Sequence, residues 1–344
     1  MPFLSNAWYC AAWTEEVTRT PIARRVLNNP VLMFRSTDGS IAAMSNVCAH
    51  RFAPLDRGEV VGNTISCPYH GLSYDNSGAC VRNPHGDGKI PRGAKLRTYP
   101  VVEKQRAVWI WMGDAAAAHP SGIPDLELIN DDPKPMLTGY LRMPVDYRLV
   151  LDNLLDLTHA PYLHRGTFSS GGKATREYRF ESKDEYVKAT YLDRGVPTPP
   201  SQQAFFDRPI GDYHTYIDFV LPGLFHNAIA MTDVGGAFDS GSLMKSGHII
   251  TPESESSTHY FWYSSRNRCV GDTEIDSRLR AVIDKAFSTE DEPMITACQE
   301  NMGGSGDLRP LRPISLPSDE AALRARRMLE RRIEGEMNTT SVKS

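Results

Sequence analysis

The sequence predicts an α+β protein in two parts: an all-β N-terminal third, then a larger region mixing antiparallel strands with helices. Three observations carry this. The runs PVLMFRS, SIAAMSNV and AVWIWMG are short, strand-like and separated by Gly, Asn and Asp turns such as TDGS and DNSG. Residues 113–135, GDAAAAHPSGIPDLELINDDPKP, have the Pro-, Gly- and Asp-rich composition of a linker. Beyond them, helical and strand-like patterns alternate. The expected organisation is a first domain over 1–115, a linker over 116–135 and a second domain over 136–344.

In the second domain a short helix is expected around 148–159, followed by strands that include YHTYIDFVL, SLMKSGHIIT and THYFWYSSR. Asp272 or Thr273 can cap a helix over 273–287, where Ile275, Leu279, Val282/Ile283 and Ala286/Phe287 form an apolar stripe. Thr289 and Glu292 have the spacing of a capping box, which predicts a fresh helix start there. The segment SDEAALRARRMLERRIEGE reads as a C-terminal helix with an acidic first turn and Glu/Arg neighbours.

Charge and composition exclude several classes of function. Thirty-eight basic against 42 acidic residues give a net charge of −4, and the basic residues are scattered, which argues against a nucleic-acid or anionic-lipid surface. No apolar run approaches the ~18 residues of a membrane-spanning helix. The N-terminus MPFLSNAWYCAAW lacks the cationic and apolar regions of an export signal, so a cytoplasmic location is expected. Six cysteines, Cys10, Cys48, Cys67, Cys80, Cys269 and Cys298, are too sparse for a disulfide scaffold, and any with a special role are expected to bind metal.

Cys48-Ala-His50 is followed, after sixteen intervening residues, by Cys67-Pro-Tyr-His70. A mononuclear zinc site would use these residue types equally well. One Cys and one His on each of two loops, however, also matches a [2Fe–2S] cluster with both cysteines on one iron and both histidines on the other. Gly71 and Gly78 stand where the chain must turn sharply or pass close to such a cluster. The pattern C-x-H-R…C-x-x-H-G-x-x-Y over residues 48–74 resembles the Rieske iron–sulfur family. Respiratory members carry an extra cysteine in each loop. Pro54, Leu55, Leu72 and Ser73 stand here instead, which is similar to the oxygenase and ferredoxin branch and implies the lower part of the range of about −150 to +300 mV.

The second constellation is DNLLDLTHAPYLH, residues 152–164. On a regular helix His159 and His164 would point about 140° apart. Pro161 should end or kink the helix and let His164 swing back beside His159. Two imidazoles and a carboxylate with open positions make the facial triad of non-haem Fe(II) oxygenases, while two unrelated surface histidines on a polar helix end remain the plain alternative. With the cluster motif upstream, N-x-x-D-x-x-H-x4-H, here Asn153, Asp156, His159 and His164, resembles the catalytic domain of the Rieske non-haem iron oxygenases.

That resemblance covers nearly the whole chain and implies the rest. It implies an antiparallel sheet flanked by helices (helix-grip type) in the second domain. Asp291, in Glu290-Asp291, takes the place of the third iron ligand, although relatives often continue E-A-x-Q where this chain has Thr296-Ala297-Cys298-Gln299, and acids in a first helical turn also suit the helix dipole. Asp156 would bridge His70 of one subunit to His159 of the next, which implies a ring, most simply a homotrimer; as a bare sequence feature it could equally support His159 within one chain. The segments NAWY, CPYHGL, NPHG and TPE-SRN are similar to the group that includes vanillate O-demethylase and dicamba monooxygenase. Members of this group use O2 to O-demethylate aromatic acids, releasing formaldehyde. Asn227 and His248 match positions where a relative holds a substrate carboxylate, with a structural Asn and a satisfied strand His as the plain alternative, and Val282 stands where an aromatic can wall the pocket. A ring- or benzylic-methyl-hydroxylating monooxygenase shares these motifs, and a Rieske electron carrier shares only the first of them. No G-x-G-x-x-G opens a helix, so electrons are expected from a separate NAD(P)H-dependent flavin/ferredoxin reductase.

Overall fold

The computed structural model describes residues 3–128, 136–169, 176–183 and 185–342, which form two compact units, Phe3–Ile123 and the chain from Pro124 onward. Of the expected linker, residues 129–135 lie outside the described residues.

The first unit contains ten strands: β1 (Trp8–Trp13), β2 (Ile22–Val26), β3 (Asn29–Arg35), β4 (Ile41–Ser45), β5 (Glu59–Val61), β6 (Thr64–Ser66), β7 (Ser73–Asp75), β8 (Cys80–Arg82), β9 (Val101–Lys104) and β10 (Ala107–Trp111). They make three small antiparallel sheets ordered β1-β10-β9, β2-β3-β4 and β5-β6-β7-β8. Two hairpins turn on residue pairs with positive φ, Leu27-Asn28 (47° and 67°) and Gln105-Arg106 (54° and 58°), whose twist matches the flanking strands. Leu32, Phe34, Met44, Leu55, Ile65 and Tyr74 form a buried core that also takes in Cys48, Cys67 and Cys80. The loops carrying the first motif therefore stand on a packed base.

The second unit is built on seven antiparallel strands: β11 (Leu137–Met143), β12 (Arg176–Lys183), β13 (Tyr186–Pro197), β14 (Ile210–Val220), β15 (Leu224–Thr232), β16 (Ser242–Ser254) and β17 (Ser257–Arg266). Their order is β11-β17-β16-β15-β14-β13-β12. Along β13 buried positions alternate with partly exposed ones, whereas β15 is buried at all nine positions and so is covered on both faces. Flanking helices are α1 (Tyr147–Leu155), the one-turn α2 (Ala160–Leu163), α3 (Thr273–Lys285), α4 (Glu292–Asn301) and α5 (Glu320–Val342).

Helix α1 is fixed at several points. Asp146 caps it by accepting from the Arg148 N–H at 2.9 Å, and the Asp146 N–H donates to Gln299 on α4 at 2.6 Å. Asp152 pairs bidentately with Arg326 of α5 at 2.7 and 2.5 Å. Two expectations are corrected here. The helix breaks at Asp156 (φ −114°, ψ 93°), not at Pro161, which sits in the first turn of α2, where its missing N–H has no partner to lose. Nor does a capping box open a new helix at Thr289. Asp272 caps α3 as expected, but α3 runs through a wide π turn, Ala286–Asp291, directly into α4. The Thr289 hydroxyl donates back to the Lys285 carbonyl at 2.7 Å, a bond made inside a helix rather than at its start.

Candidate metal centres

In the first unit Cys48 and Cys67 begin two loops of the same form. The Phe52 N–H returns to the Cys48 carbonyl and the Gly71 N–H to the Cys67 carbonyl, each at 3.0 Å. The closing residues of both loops, Phe52 and Gly71, are left-handed (φ 57° and 71°), which suits Gly71 and costs Phe52 about 1–2 kcal/mol. The Gly78 turn is tighter still, since a Cβ there would lie 2.4 Å from the Leu96 carbonyl oxygen.

These loops bring the rings of His50 and His70 to a centroid distance of 4.5 Å, with both cysteines buried and His50 exposed. The sulfur side thus faces the core and the nitrogen side faces outward. The Ala49 N–H donates to the Tyr74 phenol oxygen at 3.3 Å, and the same oxygen lies 3.3 Å from Cys48 Sγ, within hydrogen-bond reach of the sulfur. Burial raises the Cys67 thiol pKa, so a metal must draw off the proton for the sulfur to act as a ligand. His85 Nε2 lies 2.8 Å from the His70 carbonyl and backs the second loop. Two buried sulfurs and two paired outer imidazoles are a donor set that fits a [2Fe–2S] cluster.

In the second unit the break at Asp156 turns His159 and His164 toward each other. Their Nε2 atoms are 3.2 Å apart, and Asp291 Oδ1 lies 3.6 Å from the first and 3.3 Å from the second. Three atoms able to ligate a metal converge within reach of one another. Bonds of ~2.1 Å at right angles would set neighbouring ligands about 3.0 Å apart, close to these separations. The group fits one metal ion with open positions, the two-histidine, one-carboxylate pattern of non-haem iron.

The outer nitrogens are held as a metal site requires. His159 Nδ1 bonds the Asp156 carbonyl at 2.5 Å, and His164 Nδ1 bonds Glu290 Oε2 at 2.8 Å. The Thr167 hydroxyl donates to the same Glu290 oxygen at 2.8 Å, and Asn153 Nδ2 donates to Asp291 Oδ1 at 3.0 Å. Burial holds His159 below the ordinary histidine pKa. Burial also works to lower His164, but the Asp291 and Glu290 carboxylates outweigh it and raise the pKa. The Asp156 carboxylate accepts from the Thr158 N–H and hydroxyl at 2.9 and 2.6 Å, so Asp156 reaches His159 only through its carbonyl.

Residues 7–100 match the family described as Rieske [2Fe-2S] domain, and residues 143–335 match Vanillate O-demethylase oxygenase C-terminal domain. The oxygenase component of dicamba O-demethylase from Stenotrophomonas maltophilia is 37% identical, over 96% of this chain and 98% of its own. The chain belongs to the Rieske non-haem iron oxygenases. The oxygenase component of chloroacetanilide N-alkylformylase from Rhizorhabdus wittichii is 36% identical over 97% of both chains. A crystal structure of dicamba monooxygenase bound to dicamba superposes with a TM-score of 0.89 at 35% identity, covering 98% of this chain and 99% of that one. The protein is therefore an O2-using oxidoreductase with a [2Fe–2S] cluster and a non-haem iron, the oxygenase component of a system completed by a reductase. Among the described residues no helix is long and apolar enough to cross a membrane.

In this Rieske oxygenase the triad opens onto a cavity between the sheet face and the helices, with apolar walls that include Leu154, Ile229, Met244, Trp262, Ile283 and Phe287. Asn227 and His248 both line it. His248 Nδ1 bonds the Tyr260 hydroxyl at 2.9 Å, the hydroxyl's sole partner among the described residues, and burial pushes the ring's pKa down to about 4. With Tyr260 donating, the neutral ring keeps its proton on Nε2. Val282 does not line the cavity; its helical neighbours Ile283 and Phe287 do.

Sequence reasoning assigned no role to Glu290, Tyr74, Tyr191 or Arg176. Glu290 was visible only as the companion of Asp291. The Tyr191 hydroxyl accepts from the Leu157 N–H at 3.2 Å and donates to the Leu155 carbonyl at 3.1 Å, while Arg176 donates to the Leu157 carbonyl at 2.6 Å. Together they clamp the turn that presents His159. These are long-range contacts with no local sequence signature.

Proposed function

We propose that this chain O-demethylates a methoxylated aromatic acid, releasing formaldehyde, with electrons from an NAD(P)H-dependent flavin/ferredoxin reductase. One observation carries the reading: the triad opens directly onto an apolar cavity that Asn227 and His248 also line. An aromatic ring fits such walls, and a neutral imidazole N–H with a carboxamide can hold an acid group. The relative named dicamba O-demethylase supports the same chemistry.

Cys48, Cys67, His50 and His70 would hold the cluster, and His159, His164 and Asp291 the iron. When bound, the two groups store electrons and activate O2. The chain's own part is placement. Asn227 and His248 fix the acid group, and the apolar walls exclude water and present the methoxy carbon toward the triad. Asn153, Glu290 and the Asp156 carbonyl hold the triad in orientation. Once the methyl carbon is hydroxylated, the resulting hemiacetal collapses to formaldehyde and a phenol. Assembly of identical subunits into a ring, most simply a homotrimer, would set His70 of one copy against the Asp156 turn of the next. A cytoplasmic location goes with the NAD(P)H supply.

The test is reconstitution with a flavin–ferredoxin reductase, NADH and O2 on a panel of methoxy- and methyl-substituted benzoates and benzenesulfonates. Formaldehyde in step with NADH use on a methoxybenzoate is expected. Coupled turnover to an alcohol or ring phenol without formaldehyde would replace this reading with a hydroxylase.

A further inference from the structure

The far side of the large sheet carries an arrangement that neither metal centre uses. Asp218 on β14 stands directly opposite His226 on β15, His226 opposite Gly247 on β16, and Gly247 opposite Tyr263 on β17. Side chains alternate between the two faces of a sheet, and the adjacent residues Ile217, Asn227, Ser246 and Ser264 line the catalytic cavity. The row from Asp218 to Tyr263 therefore faces away from it.

The segment at the start of the second unit crosses this row. Leu126 is buried there, while Asp125 and Glu127 on either side of it are exposed. The Asp125 carbonyl oxygen lies 2.9 Å from His226 Nε2, and the Leu126 carbonyl accepts from the Tyr263 hydroxyl at 2.7 Å. Gly247 makes room for the second bond. A Cβ there would lie 2.1 Å from Tyr263 Cζ, so the absence of a side chain lets the ring lie across β16. Strands on both sides of β16 thus grip consecutive carbonyls.

The acceptors around His226 fix its charge. Nδ1 lies 2.9 Å from Asp218 Oδ1 and Nε2 faces the Asp125 carbonyl, and neither an ionised carboxylate nor a carbonyl has a proton to give. Both contacts are hydrogen bonds only when the ring carries two protons. Burial opposes that charge, but Asp218 outweighs burial and raises the pKa, with help from the carboxylate of Glu127, 3.9 Å from Nδ1. The other groups nearby leave the balance in place. The Asp125 carboxylate is turned to the Glu127 N–H, and the Tyr186 hydroxyl on β13 donates to Asp218 Oδ2 at 3.4 Å. Lys188, opposite Asp218 on β13, holds its amine over the Tyr216 ring. His248 on β16 is neutral, because burial pushes its pKa down to about 4, and burial raises the Tyr263 phenol pKa, which keeps it a donor. Deprotonation of His226 leaves one proton for two acceptors. The carboxylate is the stronger acceptor and takes it, and the Nε2 lone pair then meets the carbonyl oxygen.

We propose that His226 is a pH-operated latch: doubly protonated, it holds the Asp125–Leu126 segment on the sheet, and once neutral it lets go of the Asp125 carbonyl. The first unit ends at Ile123, so with the latch closed Pro124 alone separates it from an anchored residue. Detachment of the segment moves the next strand-bound residue to Leu137, where β11 begins. The latch sets the length of chain by which the cluster-bearing unit is tied to the catalytic one.

The test is hydrogen exchange of residues 124–128 in enzyme loaded with cluster and iron. Quench-flow labelling and mass spectrometry are run at pH 6 and pH 9, with each rate divided by that of unstructured chain at the same pH. Protection in the native chain is expected to fall about tenfold or more between the two, because a bond from a charged donor is lost. His226→Gln, whose amide can donate to the carbonyl at either pH, is expected to be equally protected at both. Asp218→Asn is a second variant expected to stay protected at pH 9, because its amide can donate to Nδ1 and leave the neutral ring's proton on Nε2. Cluster absorbance and Tm check the folding of each. Equal native protection at the two pH values, or the same fall in His226→Gln, overturns the latch. So does a native-sized fall in Asp218→Asn, or a fall shared by β13, which would report general loosening of the sheet.

Discussion

Replacing Glu290 should weaken iron binding without touching the cluster. In the native chain His164 Nδ1 donates to Glu290 Oε2 at 2.8 Å, Thr167 donates to the same oxygen at 2.8 Å, and the carboxylate side chain is 13% exposed. A hydrogen bond to a charged group contributes ~1.5–3 kcal/mol, and a neutral acceptor about half of that. Glu290→Gln keeps the shape but loses the charge, so roughly 1–1.5 kcal/mol of imidazole orientation and basicity is lost, about tenfold in iron affinity. Glu290→Ala also strands the Nδ1 proton and the Thr167 hydroxyl, and should approach the upper end of the ~10–100-fold range for partners of metal-bound histidines. The assay is anaerobic Fe(II) titration of cluster-loaded, iron-stripped enzyme against a competing chelator, with the cluster absorbance as an internal control. Iron affinity within twofold of native in both variants would refute the reasoning. So would simultaneous loss of the cluster, since that would report unfolding rather than a weakened ligand.

Further outcomes follow from the same geometry. Asp291→Ala should abolish iron retention and product formation while the reductase still reduces the cluster; product formed at the native rate would remove Asp291 from the triad. Tyr74→Phe removes the hydroxyl 3.3 Å from Cys48 Sγ and, with that hydroxyl donating to a cluster-bound thiolate, should lower the cluster potential by about 40 mV, from ~1 kcal/mol for one electron; a spectroelectrochemical midpoint equal to native would sink this. His226 sits between the Asp218 carboxylate at 2.9 Å and the Asp125 carbonyl at 2.9 Å, and although burial lowers its pKa, Asp218 outweighs burial and raises it. A raised pKa stabilises the fold fully below the unfolded value of about 6.5, and that contribution is lost as pH rises through the folded value. The Tm gap between native and His226→Gln should therefore be widest near pH 6 and narrow toward pH 9; a gap that widens with pH contradicts the assignment.

The sequence showed most clearly what is local. Cys48 and His50, or Cys67 and His70, lie within three residues of each other, so each loop carries its candidate ligands in plain view. Three strands of the large sheet, β14, β16 and β17, were visible because they are long and rich in aromatic and β-branched residues. What depends on distant partners was hidden. Pro161 looked like the helix breaker, but the break falls at Asp156, whose side chain bonds Thr158 and whose turn is clamped by Tyr191 and Arg176 from other strands. The hairpins at Leu27-Asn28 and Gln105-Arg106 lack the Asn-Gly signature of their turn type, because the strands on either side enforce the twist. Thr289 and Glu292 had the spacing of a helix start, yet packing around Phe287 and Asp291 carries the helix straight through. The role of Glu290 could not be read from its neighbours, since Thr167 and His164 lie more than a hundred positions away.

The wide turn at Ala286–Asp291 also decides which of two adjacent acids meets the histidines. At about 100° per residue, an unbroken α-helix would set residue 290 about 40° to one side of the mean inward direction of Ile283 and Phe287 and residue 291 about 60° to the other. The extra residue held in the π turn delays the rotation, so Asp291 inherits the inward place and Glu290 falls beside it, within reach of the outer nitrogen of His164. Loss of a single codon between Ala286 and Thr289 would let the helix run straight with the aspartate still in the inward place, whereas straightening the helix without that loss would exchange the two acids. Relatives that lack the extra residue can be aligned to this chain only by opening a gap inside a helix, where gaps are least expected, and without it the wrong carboxylate would be matched to the ligand.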